Sequence, residues 1–159
     1  MKGFSFVLIT FFVLILSCKG EDTLYSSHIE TKGAWLKNEP VKASLEINEG
    51  PIDIYLILKL NEDYPFSNIY LLSSISNPDL KITDTISFKF DYSENKSLLS
   101  RQMRIKTFKI PIYKNMNLNK NTSVEISHAV RFIDSTEPVI KLEGILDVGI
   151  LVNKSNEEI

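Results

Sequence analysis

Apolar and polar residues alternate in run after run of this chain, and that period of two restricts the fold more than any other feature. Val41, Ala43, Leu45 and Ile47 alternate with Lys42, Ser44 and Glu46. Ile52, Ile54, Leu56, Leu58 and Leu60 share one side of the next run. Ile69, Leu71, Ser73 and Ile75 share one side of the third, with Tyr70 and Leu72 making its other side partly apolar. The pattern returns at Ile86, Phe88 and Phe90, and at Phe108, Ile110 and Ile112. It returns again at Val124, Ile126, His128, Val130 and Phe132, and at Leu146, Val148, Ile150 and Val152. Side chains of a β-strand point to opposite faces in turn, so each run describes a strand with one buried and one wet face.

Between the runs stand turn-forming clusters: Asn48-Glu49-Gly50-Pro51, Asn61 to Pro65, Asn77-Pro78-Asp79, Asn115 to Asn121, and Ser135 to Pro138. No stretch carries a helical stripe. Short strands at this spacing, each with one wet face, predict an all-β, antiparallel β-sandwich, either Ig-like or jelly-roll-like. It occupies residues 24–154 as one domain, with 155–159 as a frayed tail. Pro111 has no N–H to give a neighbour, so its strand is expected at an edge or with a bulge. Gly149, inside the last run, predicts a bulge or a close packing contact. Residues 92–107, polar and basic, read as a long loop.

The N-terminus sets location. Lys2 precedes an apolar run from Phe4 to Leu16, broken only by Ser5 and Thr10, and Ser17-Cys18 closes it. Thirteen residues are too few to span a bilayer, which takes about 20. A basic start, a short apolar core and a cysteine at the cut describe a lipoprotein signal. Residues 1–17 are the expected signal peptide, and 18–23 hold the lipidated Cys18 and a short tether. Cys18 is the only cysteine in the chain, so no disulfide is available. Glu21-Asp22 reads as a solvated acidic linker, although the two acids also fit a surface-export signal. The expected location is the cell envelope, on the outer membrane, facing either periplasm or surface. The sequons at Asn95, Asn121 and Asn153 are accounted for as chance triplets in an Asn- and Ser-rich chain.

Charge excludes one class of partner. The formal charge is −2, and loss of Lys2 with the signal makes it more negative, so nucleic acid is not an expected partner. Raw material for catalysis is sparse: His28 and His128 are the only histidines, and no nucleophile elbow, phosphate loop or metal-protease motif occurs. No catalytic residue, metal ligand or small-molecule cofactor is assigned. His128 lies on an apolar strand face and reads as a neutral core or rim histidine. The acids at Glu62-Asp63, Asp79 and Asp84 read as solvated turn residues, although a glycosidase pair would look the same in sequence. Arg101 and Arg104 read as loop solubility. Trp35, Tyr64, Pro65 and Phe66 flank turns. Exposed there, they would form a partner contact or a flat sugar platform; folded back, they belong to the core.

Asp53-Ile54-Tyr55-Leu56-Ile57-Leu58-Lys59 followed by Asn61-Glu62-Asp63-Tyr64-Pro65-Phe66-Ser67-Asn68 resembles the gliding-motility lipoprotein GldH family of Bacteroidetes. Thr83 to Ile86, His128 to Arg131 and Leu142 to Ile150 are similar to it as well. Residues 92–104 depart from that family's pattern in having neither Gly nor Trp. The resemblance implies a non-enzymatic, lipid-anchored envelope protein required for gliding. Its partners would be other gliding lipoproteins or motor components linked to type IX secretion. The alternatives are a lipid-anchored carbohydrate-binding module and an envelope hydrolase, since a β-sandwich can carry any of these.

Overall fold

The computed structural model describes residues 22–46, 50–78, 81–91, 105–118, 121–132 and 134–155. The signal segment, Cys18, the loop positions 92–104 with Arg101 and Arg104, Asp79 and residues 156–159 lie outside them. Among the described residues there are ten strands and no helix. They are β1 (Thr23–Glu30), β2 (Ala34–Leu36), β3 (Val41–Leu45), β4 (Pro51–Leu60), β5 (Asn68–Ser76), β6 (Lys81–Lys89), β7 (Lys106–Asn117), β8 (Thr122–His128), β9 (Lys141–Glu143) and β10 (Ile145–Lys154).

The pairings are nested. β5 pairs with β6, β4 with β7, β3 with β8, β2 with β9 and β1 with β10, all antiparallel. The chain is thus one long hairpin with its tip between β5 and β6. Rolling it up adds two further seams, β10 on β4 and β8 on β5. The result is two four-stranded sheets, ordered β1-β10-β4-β7 and β3-β8-β5-β6, with β2-β9 as a short separate ribbon. This is the jelly-roll order, one of the two sandwich types expected from the alternation. The apolar faces of both sheets meet in a single core. Across it the Ser73 and Tyr113 hydroxyls lie 3.0 Å apart.

The alternation explains the packing. On β4 the inward side chains Ile52, Ile54, Leu56, Leu58 and Leu60 are all buried, and each contributes about 1.5–3 kcal/mol by leaving water. β7 is an edge strand, and its register against β4 shifts where Ile54 faces Tyr113 and Tyr55 faces Pro111. Pro111 is therefore both at an edge and beside a bulge. At a second register shift, between Ile52 and Ile54, Asn115, with φ of 50°, donates its N–H to Asp53 Oδ1 at 2.9 Å. Burial pushes the Asp53 carboxyl up, but the hydrogen bonds from Asn115 and Tyr55 outweigh it and leave the pKa below the ordinary value. At Gly149 a Cβ would meet the Ser27 carbonyl oxygen of β1, so β1 and β10 approach too closely there for any side chain.

The roll has two distinct ends. At one, Lys154 N–H donates to Asp22 O and Ser155 N–H to Pro51 O, both at 2.9 Å, so the start of β1 lies beside the end of β10 and the start of β4. At the other, Thr31 N–H donates to Leu146 O and Asn61 N–H to Gly144 O, which gathers the β1–β2, β4–β5 and β9–β10 connections. The ten residues of β4 separate the ends by about 33 Å.

Candidate functional site

The β4–β5 turn holds three of the four candidate contact residues. Asn61 builds it: its Oδ1 accepts from Asp63 N–H at 3.1 Å, and its amide donates to the Asp63 carboxylate at 2.8 Å. Tyr64 then turns inward. Its hydroxyl donates to Asn68 O at 2.8 Å, and its ring meets Phe90 and Phe66 edge-on at 5.4 and 5.8 Å. Tyr64 is buried, Pro65 exposed and Phe66 half-buried. Trp35, on β2, is 2% exposed, donates Nε1–H to Glu39 O at 2.9 Å and meets the His128 ring at 5.3 Å.

A contact surface that includes Trp35 and Tyr64 is therefore corrected. Both rings satisfy their polar atoms on nearby carbonyls, so nothing holds them out in water, and burying their area favours the inward position. A flat sugar platform made from them is lost for the same reason.

Other residues complete the surface. Phe132 is 58% exposed and packs on Phe66 at 5.6 Å, and Ile140 is 62% exposed. Pro65 and Phe66 form the wall between two clefts. One, of about 410 Å³, runs past Glu62, Ser67 and Lys106. The other, of about 360 Å³, lies between Phe132 and the segment Pro138 to Glu143. Both belong to the end of the roll away from the start of β1. The alternation extends through Val130 and Phe132 and places Phe132 inward, but β8 ends at His128. The chain then bends, Arg131 bridges to Pro138, and Phe132 is released to the surface. The turn cluster Ser135 to Pro138 is the sequence signal for that bend.

His128 is 1% exposed, and neither ring nitrogen has a hydrogen-bond partner among the described residues. Burial holds its pKa below the ordinary histidine value. An unfolded chain takes up a proton as pH falls through about 6.5, while the folded one resists. The unfolded state then binds more protons, so stability is full above about pH 6.5 and falls as pH drops toward the lowered folded pKa. Thermal melts at pH 7.5 and 5.5 should show that loss, and His128→Phe, which keeps an aromatic ring against Trp35, should flatten it. An equal slope in both proteins would assign the loss to other groups. His28 is exposed on β1, and no group of three His, Cys, Asp or Glu gathers at metal-binding range among the described residues. No helix among them is long and apolar enough to cross a membrane.

The family model described as GldH lipoprotein matches residues 23–152. A protein of Christiangramia forsetii described as "Gliding motility lipoprotein GldH homolog" is 26% identical, over 98% of this chain and 98% of its own length. One of Flavobacterium johnsoniae described as "Gliding motility lipoprotein GldH" is 24% identical, over 94% and 96%. The tobacco streak virus coat protein aligns over 91% of this chain and 94% of its own, at 13% identity and a TM-score of 0.25, too low to support any structural comparison.

Proposed function

The chain belongs to the GldH lipoprotein family, and from that membership we propose that it is an envelope lipoprotein required for gliding motility. It acts as a non-enzymatic docking component, held on the outer membrane by acyl chains on Cys18. Its partners are other gliding lipoproteins or motor components of the type IX secretion apparatus. The observation that carries this reading is similarity over nearly the full length of two relatives that bear the gliding name. The open apolar surface at Phe132 and Ile140, with half-buried Phe66 beside it, supports a docking role, because exposed apolar side chains grouped at one end favour a protein contact.

Two acyl chains hold a protein stably at about 0.8 kcal/mol per buried CH₂, and a soluble variant drifts from any partner fixed in the membrane. Deletion of the gene should abolish spreading on agar while growth in liquid continues. Complementation with the wild-type gene should restore spreading, and with Cys18→Ala should not, although the altered protein still accumulates. Mass spectrometry of the membrane-extracted wild type should find Cys18 acylated at the mature N-terminus. Normal gliding in the deletion strain would refute the motility reading, and an unmodified Cys18 would refute the anchor.

A further inference from the structure

We propose that the open edge of β9, with the cleft between it and Phe66 and Phe132, binds an extended apolar segment of a partner protein by strand addition. Among the described strands β9 is paired on one edge only, to β2, with Leu142 opposite Trp35. Two main-chain bonds set which groups that pairing uses: Lys37 N–H to Ile140 O at 2.9 Å, and Gly144 N–H to Gly33 O at 3.0 Å. In an antiparallel ladder successive residues turn their N–H and C=O to opposite edges. Ile140, Leu142 and Gly144 therefore face β2, while Lys141 and Glu143 present N–H and C=O to the other edge. Further back on that edge Val139 N–H is taken by Val130 O at 2.9 Å, but no described strand continues along Lys141 to Glu143. The free edge borders the cleft of about 360 Å³, whose far wall is Pro65, Phe66 and Phe132. An added strand gains main-chain bonds from Lys141 and Glu143 and puts alternate side chains against the aromatic wall.

The tether decides the occupant, and this step rests on the lipid-anchored reading above. Five residues lead from Cys18 to Thr23 and reach at most about 18 Å. β1 starts at the end of the roll opposite the cleft, so the anchoring bilayer cannot cover the cleft. A second copy in the same membrane points its own cleft the same way, so the two tips do not meet face to face. Charge does not select a ligand either, because Lys141 and Glu143 form an ion pair with each other at 3.3 Å on the rim. The unpaired main-chain groups of Lys141 and Glu143 beside an aromatic wall fit a peptide segment of another protein, recognised by its backbone and by apolar side chains at alternate positions.

The test uses the full chain, purified in detergent, panned against a library of linear decapeptides. Selection should enrich aromatic or branched apolar residues at alternate positions. The tightest synthetic peptide should lose about tenfold in affinity when alternate amides are N-methylated. It should lose a similar factor against Phe132→Ser, and against Lys141→Pro, which removes an N–H that β2 does not use. Both variants should melt with the wild type; if Lys141→Pro melts lower, the N-methyl series and Phe132→Ser decide. No enriched pattern, or indifference to N-methylation, overturns the proposal. So does binding of Cys18→Ala protein to phosphatidylethanolamine–phosphatidylglycerol vesicles through Phe132, or a dimer in sedimentation that Phe132→Ser dissolves. Peptide binding with normal gliding in the deletion strain defeats only the motility reading, and lost gliding with no peptide binding defeats only the strand-addition site.

Discussion

Leu56→Asp is expected to leave no folded domain. Leu56 is fully buried at the middle of β4, a strand paired on both sides, between Ile150 of β10 and Ile110 of β7. Both neighbours are also fully buried, so an aspartate there has neither water nor a cation. Burying a carboxylate unpaired costs several kcal/mol, and loss of the leucine contacts adds about 2–5 kcal/mol. Domains of this size are stable by only about 5–15 kcal/mol in all, so the sum removes most or all of it. Circular dichroism should lose its strand signal and its cooperative melt. Lys59→Asp, three residues on and on the wet face, should melt close to the wild type. A cooperative melt within a few degrees for Leu56→Asp would contradict the central placement of β4.

Gly144→Ala should also be costly, through the addition of a single methyl group. Gly144 has a φ of 78°, where an L-residue is strained by about 1 kcal/mol or more. A Cβ there would also run into Tyr64 N and Cα and the Asp63 carbonyl carbon, all main-chain atoms with no rotamer to escape into. Gly144 cannot retreat, because its N–H is held by Gly33 O and its carbonyl by Asn61 N–H. Relief requires moving the Asn61 to Phe66 turn, with Tyr64 drawn from its pocket against Phe90. A cost of about 3 kcal/mol lowers the melting temperature by about 10 °C in a domain of this size. An unchanged melt would mean the β4–β5 turn packs less closely on Gly144 than the structure has it.

Strand content was legible wherever one wet and one dry face ran for five residues or more. β3, β4, β5 and β10 fall where the alternation places them, and Pro111 and Gly149 announced an edge and a close approach. β2 and β9 were not legible, since three residues carry no period. The first half of β6 was missed because Asp84 and its threonine neighbours carry no apolar stripe, as befits a sheet edge. At the candidate surface, Pro65 and Phe66 could be named from their turn. Phe132 and Ile140 could not, because their exposure depends on a bridge between Arg131 and Pro138 that periodicity does not encode. Trp35 and Tyr64 had two possible fates in sequence, and only the positions of Glu39 O and Asn68 O decide between them.

The nested pairing also orders the steps by which the domain forms. β5 and β6 are joined by a short connection and close the smallest loop, so the tip of the long hairpin is the least costly place to begin. Each later pair, β4 with β7, then β3 with β8, encloses a longer stretch of chain. β1 comes last, since Thr23 pairs with Asn153 and must wait for almost the whole chain to be in place. Contacts between residues so distant in sequence make for slow folding, in the range of milliseconds to seconds typical of all-β domains. Throughout that interval β10 has a bare edge where β1 will lie, and only the late arrival of β1 closes that side of the sheet.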